Sequence, residues 1–152
     1  MSAAPRSPLL AAALAAAVGA LVACSKGPSR EVTTQGTVEV TARLAQITGK
    51  FMPNDNYDYV FVMKYEVLQV HRGAVDGKEI FVGHYNPLKP RSRAADRFVE
   101  KVGGNVDRFQ EGDVHRMALE SPLEDIYMGG VIDKHFGEKG TRYFAVWTDR
   151  AR

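Results

Sequence analysis

The chain has 152 residues, 45% of them apolar and 25% charged, with a formal net charge of +2. That length fits one domain, and a balance so close to neutral gives no general case for a nucleic-acid partner. The single cysteine, Cys24, excludes an internal disulfide.

At the N-terminus Arg6 is the only early charge, and an apolar segment runs unbroken from Leu9 to Ala23. That segment falls short of the roughly 20 residues a helix needs to cross ~30 Å of hydrocarbon. It suits the apolar region of a signal peptide. Small residues just before the lone cysteine, in Leu21-Val22-Ala23-Cys24, resemble the lipobox of bacterial lipoproteins. The resemblance implies a signal peptide over 1–23, cleavage before Cys24, and a lipidated Cys24. About three acyl chains would follow, more than the two signals that stable anchoring takes. Ser25 after the cysteine resembles the outer-membrane sorting class. The implied address is therefore the cell envelope, at the periplasmic face of the outer membrane or the cell surface, with the membrane itself as a partner. The competing readings are a secretory signal with an incidental cysteine, or a short membrane anchor. Residues 24–36 are polar and aperiodic and read as a tether.

Residues 37–150 read as a single β-rich domain. Thr37 to Thr48 alternates, with Val38, Val40, Ala42 and Leu44 on one face and Glu39, Thr41 and Arg43 on the other, the period of a half-buried strand. Gly49 to Asn56 holds Pro53, Asn54 and Asp55, a loop signal. Tyr57–Arg72 is the long central strand. Tyr59, Phe61, Met63, Tyr65 and Val67 share one face, and the apolar phase then switches to Leu68 and Val70. A switch inside one strand predicts a β-bulge that moves the strand from one part of a core to another. Gly73–Gly77 is a turn, and Lys78–Tyr85 returns as the second arm of a hairpin. Two prolines in Asn86–Pro90 end it. Ala95, Phe98, Val99 and Val102 fall at i, i+3, i+4 and i+7, which predicts a helix over Ser92–Val102 capped by Ser92. A fourth strand is expected at Val114–Glu120. A short helix capped by Ser121 follows, with Pro122 at its first position. Val131–Phe136 is ambiguous, and Thr141–Thr148 is the last strand.

This order predicts a mainly β fold, a small five-stranded OB-like barrel or curved antiparallel sheet with one or two short helices. The run Tyr65–Gly73, followed by Lys78-Glu79-Ile80-Phe81-Val82, is similar to a pattern in netrin-like domains and tissue inhibitors of metalloproteinases, as is Phe109-x-x-Gly112-Asp113. Those domains carry disulfides and an inhibitory N-terminal cysteine. With Cys24 alone, the likeness implies a barrel and not protease inhibition.

No Gly-x-Ser-x-Gly element occurs, and Ser92 and Ser121 are both explained as caps. Asp113/His115 and Asp133/His135 are each two apart, so each pair points to one side of a strand and could serve a metal-dependent or hydrolytic enzyme. The plainer reading makes them ordinary histidines with capping aspartates. No metal and no cofactor is expected. Lys89, Arg91, Arg93 and Arg97 form a basic cluster, and arginine forks grip carboxylates, sulfates and phosphates. The expectation is a non-catalytic envelope lipoprotein that binds an anionic polysaccharide or scaffolds a partner protein, with the enzyme as the alternative.

Overall fold

The structure, a computed structural model, describes residues 27–55 and 57–151; the lipobox and Cys24 lie outside the described residues. The elements in chain order are α1 (Arg30–Thr34), β1 (Val38–Gln46), β2 (Tyr59–Arg72), β3 (Glu79–Tyr85), β4 (Gly103–Gly104), β5 (Val114–Glu120), α2 (Leu123–Ile126), β6 (Gly130–Ile132) and β7 (Arg142–Arg150). Strand β1 runs antiparallel to both β2 and β5, β2 to β3, and β5 to β7, while β3 and β7 are parallel. The circuit β1-β2-β3-β7-β5 returns to β1, which closes a five-stranded, OB-like barrel. Closure removes the open edges that a five-stranded sheet would otherwise expose.

Alternation in the sequence decides what fills the barrel. Val40, Ala42 and Leu44 from β1 meet Phe61, Met63 and Tyr65 from β2 inside, all with no exposure. Val106 and Phe109, from the connection that follows β4, plug one side of that interior. Residues of opposite phase, Val60 and Val62 on β2 with Phe81 and Tyr85 on β3, face outward and are buried too. They lie beneath a second layer formed by Ala94, Val102 and Leu123. Gly83 lies under this layer, where an added Cβ would run into Leu123 Cδ1 and Val60 Cγ1.

The switch of phase in β2 is a pair of bulges. Ala42 pairs with Val67 and Thr41 with Gln69, so Leu68 is extra, and His71 is extra between Val70 and Arg72. Leu68 and Val70 are 44% and 41% exposed, so past the bulge the apolar phase turns to solvent and not to a second part of the core.

Three local expectations are corrected. Ser92–Val102 is not a helix: only Arg91–Arg93 form a turn of 3₁₀ helix, and the rest is irregular. Asp96 Oδ1 accepts from the Phe98 and Val99 amides at 2.8 and 3.0 Å, which gives those donors to a side-chain turn in place of helix carbonyls. Phe98, assigned to a buried helix face, is 70% exposed. The stretch 24–36 is not all tether. Ser29 caps α1 by accepting from the Val32 amide, Val32 is fully buried, and the Thr37 amide donates to Leu119 O at 3.0 Å. Burying one valine contributes roughly 1.5–3 kcal/mol, enough to seat this short helix on the barrel. The short helix α2 forms as expected, but Pro122 occupies the cap position and no side chain caps it.

Candidate functional site

The basic segment begins at Asn86, which turns the chain after β3 with a positive φ of 47°. Asparagine tolerates that conformation better than most residues. Its side chain fixes the turn, donating to Asp58 Oδ1 at 2.8 Å and accepting from Asn54 Nδ2 at 2.9 Å. Five residues on, the Arg91 guanidinium folds back into the turn. It donates to the carbonyls of Tyr85, Asn86 and Lys89 at 2.7, 2.5 and 2.9 Å and lies 5.1 Å from the centre of the Phe109 ring. Burial pulls its pKa down to about 10, so it stays charged at neutral pH. Arg91 is 3% exposed; it holds the loop and is no part of a ligand face. Lys89 leans on Asp58 at 3.4 Å.

Arg93 and Arg97 remain exposed, as the sequence implies. Two neighbours that the sequence reading omitted complete the surface. The Arg97 guanidinium lies 4.5 Å from the centre of the exposed Phe98 ring, a cation–π pair. Arg97, Phe98 and Lys101 line a groove of about 370 Å³ floored by Ile126, Phe144 and Val146 and bordered by Glu100 and Glu120. Asp96 sets the ledge in place from below, since Tyr85 donates to its Oδ2 at 2.7 Å. Burial pushes the Asp96 carboxyl up, but the bonds from Tyr85, Val99 and Phe98 outweigh that and hold it below the ordinary value. Arg93, Arg97 and Lys101 on either side of one phenylalanine were the available sequence signal. The helical reading hid it by turning Phe98 inward.

The histidines and aspartates of the enzyme reading are not brought together. His115 points into the barrel, where the Tyr65 hydroxyl lies 3.1 Å from its Nδ1 and 3.0 Å from His84 Nε2. Phe109 packs on both imidazoles, at 4.4 and 5.7 Å between ring centres. His135 lies outside, against Phe81, with its Nδ1 2.9 Å from Glu138. Asp133 accepts from the His135 amide and pairs with Arg142 at 2.9 Å, so its carboxylate is committed. Among the described residues, no group of three or more His, Cys, Asp or Glu side chains is placed to hold a metal.

Burial holds His84 well below the ordinary imidazole value, helped by the Arg91 charge and then by His115, and it takes His115 to about 4. Both are neutral at pH 7, which fixes the protons of the row. Tyr65 gives its proton to one imidazole and receives a hydrogen bond from the other. One outer ring nitrogen, of His84 Nδ1 and His115 Nε2, must then be an N–H and the other a lone pair. Neither has a protein partner. The alternation of β2 and β3 places Tyr65 and His84 inside, so this row was legible as inward-facing residues, though not as a network.

A second cleft, of about 640 Å³, opens where α1 meets the ends of β2, β5 and β7. Its charged groups are internally matched. Arg116 pairs with the buried Glu39 behind it at 2.5 Å, and Arg150 with Asp107 at 2.7 Å. Asp149 accepts from Ser29, from the Asn105 amide and from Trp147 Nε1. Of the two concavities, only the Phe98 groove presents exposed cations beside an exposed ring.

The fold thus defines a closed OB-like barrel carrying a basic, aromatic ledge on the connection between its third and fourth long strands. Comparison of the chain with protein-family models, with curated proteins and with solved structures gives no match.

Proposed function

We propose that this protein is a non-catalytic lipoprotein of the cell envelope, anchored through Cys24, whose ledge at Arg93, Arg97, Phe98 and Lys101 binds an anionic polysaccharide. The observation that carries the reading is Phe98: a large ring 70% exposed, with the Arg97 guanidinium over it and Lys101 lining the same groove. Uronate or sulfate groups meet the arginine forks, and the apolar face of a sugar meets the ring. Of the histidines and aspartates of the enzyme reading, His115 is sealed in the barrel, Asp133 is paired with Arg142 and His135 with Glu138.

The test is retention of the purified protein on immobilised alginate. The combined variant Arg93→Ala, Arg97→Ala, Lys101→Ala should elute at markedly lower salt than the parent, with unchanged thermal stability. Phe98→Ala should shift elution in the same direction. Equal retention of all variants would defeat the ledge. Arg91 is left intact, since its loss would unfold the loop and confuse the result. Anchoring is tested separately: Cys24→Ala should abolish labelling by radioactive palmitate and release the protein from membranes.

A further inference from the structure

Past its bulge, β2 turns two apolar side chains to solvent, Leu68 at 44% and Val70 at 41% exposure. An antiparallel strand with one wet face ordinarily puts polar residues there. This stretch of β2 lies beside the described residues nearest to Cys24 in sequence. Gln69 and His71, the immediate neighbours of Leu68 and Val70, line the 640 Å³ cleft together with Gly27, Pro28 and Ser29. Ser29 donates to Asp149, Val32 seats α1, and Arg72 at the end of β2 donates to the carbonyls of Gln35 and Gly36. From Ser29 onward the chain therefore belongs to the folded body and gives no slack.

Chain length then decides what faces Leu68 and Val70. Gly27 stands three residues from Cys24, a reach of at most about 11 Å in a fully extended chain. One headgroup layer of a bilayer is itself roughly 5–8 Å deep. With Cys24 lipidated, a step that rests on the lipoprotein reading, Gly27 clears the headgroups by no more than a few ångströms. The cleft that Gly27 shares with Gln69 and His71 then opens at the membrane surface.

We infer that this end of the barrel rests on the bilayer that holds Cys24, with Leu68 and Val70 among the lipid headgroups. Two cations stand at the same mouth. Arg30 is exposed on α1 between the cleft-lining Ser29 and Val32, and Arg150 is held only by a surface pair with Asp107. Both can meet lipid phosphates, as basic residues next to an anionic membrane do. The contact needs little affinity of its own, because the anchor keeps the two surfaces together at high effective concentration. The domain is thus docked on its membrane and does not swing on a tether.

The test uses the membrane-anchored protein in vesicles of phosphatidylethanolamine and phosphatidylglycerol. A polarity-sensitive fluorophore is attached to Leu68→Cys and, as the control, to Met128→Cys. Met128 is 90% exposed and lies two residues before Gly130, which pairs with Tyr59 at the other end of β2. Nine residues, ~30 Å at about 3.3 Å per residue, separate Tyr59 from Leu68 along the strand. The fluorophore at Leu68 should shift to the blue and be quenched by spin-labelled lipid, and the one at Met128 should do neither. A fluorophore on Val70→Cys should be quenched as well, and adding Leu68→Glu, which sets a carboxylate against anionic lipid, should weaken that quenching. Quenching at Leu68 no stronger than at Met128 would overturn the inference. So would a blue shift without quenching by lipid, since a protein and not the bilayer would then cover the site. The parent should take up no fluorophore, because its single cysteine carries lipid. A parent that takes it up would show the anchor itself to be missing, and the docking would fall with the lipoprotein reading.

Discussion

Arg91 and the Tyr65–His84–His115 row show how single buried polar groups decide the behaviour of this barrel. Arg91 satisfies three carbonyls at once from two separate guanidinium nitrogens, a planar spread of donors that the compact ammonium of lysine does not reproduce. Arg91→Lys should therefore lower stability by about 2–4 kcal/mol, and Arg91→Ala by more, read as the midpoint of urea unfolding. A midpoint unchanged within error would show that the loop holds itself. The histidines set a dependence on pH. An imidazole held neutral by burial has a folded pKa below its unfolded value of ~6.5. Above that value both states are neutral, and nothing is gained or lost. As pH falls through the window from about 6.5 to the folded value of about 4 for His115, the unfolded chain takes up a proton that the folded one refuses. Stability then drops by about 3 kcal/mol for this one group. His115→Gln should flatten that part of the stability curve between pH 6.5 and 4; an unaltered slope would place its cause elsewhere.

Between residue and molecule, the elements show where pattern governs structure and where a local bond overrides it. Strands β1, β2, β3 and β7 were legible because a two-residue period and β-branched or aromatic content agree with a two-sided core. The bulge at Leu68 was legible as a break in that period. The helix expected over Ser92–Val102 had the right spacing, yet the Asp96 carboxylate captures the amides that a helix would use. Spacing alone carries no information about such a capture. The same failure turned Phe98 inward, so the sequence grouped Lys89, Arg91, Arg93 and Arg97 without it, although Arg91 is tied into the loop and Lys89 leans on Asp58 while Arg93 and Arg97 stay exposed. The order of α1 was hidden for another reason: its single anchor, Val32, makes no periodic pattern. Packing of α2 over β3 supplies a direct check. Gly83→Ala would press a methyl group into Leu123 and Val60 and should cost about 1–3 kcal/mol. Combining it with Leu123→Ala, which opens the space, should recover part of that loss. A double variant no better than the sum of the singles would mean that the outer layer does not close on β3 as described.

At the scale of the molecule, the closed barrel separates its surfaces. The basic, aromatic ledge lies over the outer face of β7, the open β6 edge lies beside β2, and α1 meets the far ends of β2, β5 and β7. A net charge of only +2 means that attraction to a polyanion has to come from the local cluster and not from the whole field. Binding should accordingly weaken as salt screens the pairs, and it should discriminate against neutral polymers such as dextran. The central claim is tested most directly by calorimetric titration of sodium alginate into the purified protein at low and at physiological ionic strength, with the Arg97→Ala, Phe98→Ala variant alongside. Saturable binding that weakens with salt is expected, with a loss of at least about tenfold in the variant, which corresponds to roughly 1.4 kcal/mol. Absence of binding at low salt, or equal affinity in the variant, would contradict it.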